Sequence, residues 1–156
     1  MTQDPARPAA QRKADALALL GSEVVDVWVA TASDDDGSIR PHLVPVSLAR
    51  LDDDRIVIAI QATSRTARDL TAHRAARLGV GPTRDVVMID VELDEMHDVG
   101  DAPGGVVERY LAQADWDPRE SEGYVFAVLR PTRLQAWREA NEIAGRTLMR
   151  EGRWLV

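Results

Sequence analysis

The sequence predicts a mainly β domain, a small antiparallel barrel with short helical additions, on three observations. Segments rich in β-branched residues recur between tight turns. One of them alternates apolar and charged residues without a break, and helical periodicity is confined to three short stretches. Length sets the scale: 156 residues with 45% apolar and 29% charged content suit one domain with a real core.

Taken in order, residues 1–8 hold two prolines and no apolar pattern, which predicts a flexible tail before a single domain over 9–156. Ala9 to Leu20 reads as a helix with Leu17, Leu19 and Leu20 inward and Gly21 as its stop. Val24 to Ala32 is a strand with Trp28 in the core, and Ser33-Asp34-Asp35-Asp36-Gly37-Ser38 is a turn. Pro41 to Leu48 and Arg55 to Ile60 are further strands, separated by a turn at Leu51-Asp52-Asp53-Asp54; together the three form a meander. A helix from Ser64 to about His73 interrupts the sheet, which resumes weakly at Arg77–Gly81. From Val86 to Met96, Ile89, Val91 and Leu93 alternate with Asp90, Glu92 and Asp94, so one face is buried and one wet. A helix follows from Pro103 to about Gln113, then a last long strand from Tyr124 to Leu129, with Pro131 marking a bulge or its end.

Several function classes fall away. A net charge of −7 argues against nucleic acid as a partner, because such binding neutralises phosphates with a basic surface. No apolar run approaches the roughly 20 residues of a membrane span and the polar start lacks a signal-peptide core, so the expected location is the cytoplasm, away from membranes. Without cysteine there is no disulfide or thiolate chemistry. The acidic triplets Asp34–Asp36 and Asp52–Asp54 lack the alternating ligands of a calcium loop, and His42, His73 and His97 are scattered; no metal site is expected. No nucleophile elbow, P-loop or dinucleotide fingerprint is present, and no catalytic residues stand out, so a bound cofactor would carry any reaction.

The segment with chemical content is Thr63-Ser64-Arg65-Thr66-Ala67-Arg68-Asp69-Leu70. Ser64 is a good N-cap, which leaves the helix presenting free amides and the positive end of its dipole. Arg65 and Arg68, three apart, share a face of the first turn. Amides, a hydroxyl and two guanidinium forks make an anion site suited to phosphate; the plain alternative is a capped amphipathic helix with solvated arginines. With one lysine against eighteen arginines, arginine is this chain's default cation.

The order Val29-Ala30-Thr31, then Asp36-Gly37-x-x-Pro41-His42-x-Val44-Pro45-Val46, then an apolar strand and Thr63-Ser64-Arg65-x-x-Arg68-Asp69-Leu70 resembles the pyridoxamine 5′-phosphate oxidase-like superfamily. These are split-barrel proteins that bind FMN or the deazaflavin coenzyme F420. The likeness is strongest over residues 24–96 and extends to about 138. It implies an antiparallel split β-barrel of the FMN-binding type, assembled as a homodimer with cofactor sites between subunits. The backbone of Val44, Pro45, Val46 and Ser47 would lie along the ring. Thr63 would meet the ring edge or ribityl chain, and Ser64, Arg65 and Arg68 the phosphate. By residue chemistry alone, Trp137 and Trp154 lie in the polar C-terminal segment, where a large ring would either cover a flat heterocycle or pack the tail against the barrel or a partner subunit. The oxidase that names the superfamily has arginine where Val44 stands and lysine where Thr66 stands, and Arg133-Leu134 only weakly echoes its C-terminal basic motif. The resemblance therefore points away from that activity and toward shorter relatives that reduce small planar unsaturated molecules with FMN or F420. A non-catalytic module that stores or senses a flavin or tetrapyrrole-like ring, and a barrel with a decayed site, are the alternatives.

Overall fold

The computed structural model describes residues 4–156. Strand β1 (Val25–Asp35) turns into β2 (Ser38–Arg50) through Asp36 and Gly37, whose φ angles of 55° and 74° make the two-residue hairpin for which Asp-Gly is suited. β3 (Ile56–Gln61), α2 (Arg65–His73), β4 (Ala75–Val80) and β5 (Val86–Asp98) follow, after an initial helix α1 (Ala9–Leu20). α3 (Gly104–Gln113) precedes the longest strand, β6 (Tyr124–Trp137), and the short strands β7 (Thr147–Arg150) and β8 (Arg153–Trp154) close the chain.

All strand pairings are antiparallel, and the sheet runs β3-β2-β1-β4-β5-β6-β7-β8. β3 also pairs with β6, from Ile56 opposite Leu129 to Gln61 opposite Tyr124, which closes six strands into a barrel. β6 serves two neighbours on one edge: its first half holds β3, and its second half holds β7 at Leu134 and Gln135. It runs through Pro131 at a register shift against Asp90 and Val91, so this proline marks a bulge rather than the strand's end.

Period-two alternation fills the interior with Val25, Val27, Val29, Ile56, Ile58, Ile60, Ile89, Val91, Ala127 and Leu129. Trp28 lies on the other parity and is 52% exposed, contrary to the core position expected of it. β3 is apolar on both faces because it is covered twice. Val57 and Ala59 point outward beside Phe126 and Val128, under Val106 and Tyr110 of α3. Tyr110 stands edge-on to Phe126 at 5.1 Å between ring centres.

α1 seats Ala16 and Leu20 against the barrel interior, while Leu17 and Leu19 are half-buried. Arg12, also buried, donates to the carbonyls of Ala136 and Gly145 at 3.3 and 2.7 Å. Within the segment expected to be a tail, residues 1–8, the described part makes contacts with the domain. Arg7 is bonded to Glu142 and Asp15 at 2.8 Å and to Asp85 at 3.2 Å, and the Asp4 carbonyl accepts from Asn141. Residues 1–3 lie outside the described residues. The turn expected over 33–38 is shorter than that, since β1 continues to Asp35.

Candidate functional site

A split in the barrel wall makes the site. β2 and β3 pair only where Leu48–Arg50 meets Ile56–Ile58. Beyond that point β3 stays with β6, while residues 38–47 of β2 keep β1 as their only strand partner among the described residues. The second edge of β2 therefore presents a row of unpaired backbone N–H and C=O groups. A groove of about 370 Å³ follows this edge, lined by His42, Val44–Ser47, Ala59, Ile60, Gln61, Ser64, Thr66, Trp116 and Tyr124. Trp116 and Tyr124 stand edge-on at 5.0 Å and wall its far side.

At one end of the groove α2 begins. Ser64 is its N-cap, as expected, and its Oγ accepts from the Ala67 amide at 3.2 Å. The first-turn amides of Arg65 and Thr66 have no acceptor within the helix, so they and the helix dipole favour an anion there. Thr66 is 2% exposed and lies at this end of the groove.

The structure brings Val44, Pro45, Val46, Ser47 and Ser64 together in one groove. Thr63 is exposed in the link just before Ser64 and is not part of the lining. Arg65 and Arg68 line a second cleft of about 240 Å³ with Ser33, Asp34, Asp35, Asp69, Ala72 and His73. Arg65 donates to Ser33 Oγ and lies 3.8 Å from Asp35 and 4.0 Å from Asp69. Its Nε is buried without a partner. Asp69, 4% exposed, accepts from Thr31 Oγ1 at 2.8 Å. Arg68 is exposed and forms no ion pair among the described residues. Trp137 ends β6 opposite Val86, with the Arg146 guanidinium 5.2 Å over its ring, and does not line the groove.

Sequence reasoning missed His42, Gln61, Thr66, Trp116 and Tyr124. His42 stood inside the Pro41-His42 motif, and Thr66 sat one position past a recognised helix start, so both carried a signal. Tyr124 comes to the site through its register with Gln61, a pairing 63 positions apart that no local pattern encodes.

The groove's composition suits a flat ring carrying a phosphate. Val44, Pro45, Val46, Ala59 and Ile60 give apolar walls, the free β2 edge matches the polar rim of a heterocycle, and Ser64 and Thr66 bring the start of α2 to one end. The sequence profile of the family described as Pyridoxamine 5′-phosphate oxidase matches residues 20–138. The chain belongs to this family. No curated protein sequence matches it. Among solved structures it is similar to an F420 reductase, at 18% identity and a TM-score of 0.55 over 75% of this chain and 93% of that one. It is also similar to General Stress Protein 26 from Bacillus anthracis, at 14% identity and a TM-score of 0.57 over 80% and 92%. HutZ, the heme storage protein from Vibrio cholerae, matches at 13% identity and a TM-score of 0.56 over 71% and 84%. At these identities the likeness is one of fold, the split barrel. No described helix is long and apolar enough to cross a membrane.

Proposed function

We propose that this chain is a flavin- or deazaflavin-dependent oxidoreductase acting on a small planar unsaturated substrate, with FMN as its cofactor and F420 as the alternative. The observation that carries this reading is the unpaired β2 edge running along an apolar groove to the start of α2. The bound cofactor would supply two-electron hydride transfer. The chain's own part is binding and orientation. Backbone groups of Val44–Ser47 fix the ring, Ser64 and the α2 amides meet the phosphate with Arg68, and Thr63 flanks the ribityl chain. Arg65 joins them by turning its guanidinium from Asp35, where solvent already reaches it. Leaving Val44 and Thr66 in place of arginine and lysine argues for a substrate other than pyridoxamine 5′-phosphate.

The same reading makes the protein a homodimer. Trp28, Ile39 and Leu43 are 52%, 76% and 58% exposed on one outer face. Pro45, opposite Trp28 in register, joins that face to the groove. A second copy seated there would cover the apolar face and close the groove over its ligand, and Trp137 would reach a ring only by crossing between subunits.

Titration of the purified protein with FMN and with F420, followed by tryptophan quenching and cofactor absorbance, tests the assignment. Arg68→Ala and Arg65→Ala should each weaken binding ten- to a hundredfold, the ~1.5–3 kcal/mol of a charged hydrogen bond. Unchanged affinity in both variants would remove the phosphate site. A second reading, a non-catalytic module holding a ring, is favoured by the shared fold with a heme storage protein. Turnover of bound cofactor by an acceptor separates the two.

A further inference from the structure

We infer that His42 is the proton-transfer residue of the groove, an inference that rests on the oxidoreductase reading. Of the side chains lining the groove, imidazole is the one type whose charge ordinarily changes between pH 5 and 8. His42 is opposite Thr31 in register, so both side chains share the face of the β1–β2 pair that α2 crosses. It is half-buried, lines the same groove as Ser64 and Thr66, and has no hydrogen-bond or salt-bridge partner among the described residues. By contrast, His97 is held by Glu95 at 2.8 Å, and His73 faces the second cleft. A histidine left unpaired along an apolar groove is free to exchange a proton with whatever lies in that groove.

The charged and titratable groups around it come from each neighbouring element. Arg40 lies two residues along β2, Asp35 ends β1, and Arg65, Arg68 and Asp69 belong to α2. Tyr124 of β6 stands across the groove. Asp69 accepts from Thr31, and Arg65 lies 3.8 Å from Asp35 and 4.0 Å from Asp69, whereas His42 has no such partner among the described residues.

The role is specific. In a conjugated enone, hydride from the reduced ring forms the new C–H bond at the β-carbon, and the π pair moves to the carbonyl oxygen. An imidazolium N–H of His42 gives its proton to that oxygen, and the enol ketonises in water. A bound reduced flavin would be the two-electron reductant, the substrate would gain H⁻ from it and H⁺ from His42, and the neutral imidazole would be reprotonated through the open groove.

The test follows His42 by imidazole NMR across pH 5–8, for the free protein and with saturating FMN, in the oxidised and the dithionite-reduced state. Affinity for FMN is measured over the same range in wild type and His42→Gln. The expected result is a His42 titration raised by FMN, and raised further by the anionic reduced ring. Wild-type affinity then falls roughly three- to tenfold more than that of His42→Gln as pH rises through the histidine range. Binding with an unmoved His42 titration and identical pH profiles overturns this role alone. Absence of binding by wild type, to FMN and F420 alike, overturns the functional reading and this inference with it.

Discussion

Two flanks of the barrel carry apolar surface and meet opposite fates. Under α3, Val57, Ala59, Phe126 and Val128 are buried against Val106 and Tyr110. On the flank formed by β1 and β2, Trp28, Ile39 and Leu43 stand in solvent. The first flank is covered from within, because the chain folds a helix back between β5 and β6. The second has no such cover, although one register row crosses it through Pro45, Trp28, Gly79, Met88 and Gln135. The bare flank is also the one that borders the groove, so whatever covers it shapes the site. Burial within the chain secures the barrel, while the outer face of β1 and β2 keeps its apolar side chains in solvent.

The sharpest way to break the comparison is on the covered side. Phe126→Ala empties the space under Tyr110 and should cost about 3–5 kcal/mol in urea unfolding. A loss below about 1 kcal/mol would mean that α3 is a loose cover.

The next effect lies where the chain's ends meet. Hydrogen bonds from Arg7 pull the Glu142 carboxyl down to about 2 from an ordinary 4.5, against the opposing effect of burial. Because the folded value is depressed, this contribution is complete above pH 4.5 and is lost as pH falls from there toward 2. Glu142→Gln should lose roughly 1.5–3 kcal/mol at neutral pH and flatten the acid limb of stability against pH. An unchanged acid limb would show that the Arg7 contact contributes nothing.

On the bare flank stability should barely move. Leu43→Asp is expected to change chemical stability of the protomer by no more than about 0.5 kcal/mol, as an exposed site should. It should convert a dimer to a monomer in sedimentation and weaken FMN binding. A variant that stays dimeric would remove this face from the interface.

The smallest effect returns to α3. Burial raises the Tyr110 pKa to about 12 with Trp116 acting weakly against it, and the buried hydroxyl makes no well-formed hydrogen bond among the described residues. Tyr110→Phe should therefore be neutral or stabilising by up to about 1 kcal/mol in thermal unfolding. A clear destabilisation would show that the hydroxyl has a partner in solution.

Local chemistry was what the sequence made legible. Ser64 as a cap, Asp36-Gly37 as a turn and the alternation of β5 each follow from a few adjacent residues. The outward turn of Trp28 was readable too, since its valine neighbours Val27 and Val29 sit on the other parity, yet ring size suggested a core position. The destination of Arg65 was not readable. Asp35 looked like a turn residue, and only the continuation of β1 brings it within 3.8 Å of that guanidinium. The second half of β6 was hidden by Pro131, which the bulge opposite Asp90 and Val91 accommodates. Trp137 consequently looked like part of an irregular tail near a ring, whereas it ends a strand beside Arg146.

Backbone amide NMR of the isotope-labelled protein, recorded as FMN is added, tests the central claim most directly. The account predicts shifts at Val44, Val46 and Ser47 along the free β2 edge, and at Ser64 through Arg68 at the start of α2. Shifts confined to the Trp137 and Arg146 flank, or none with FMN or F420, would contradict it.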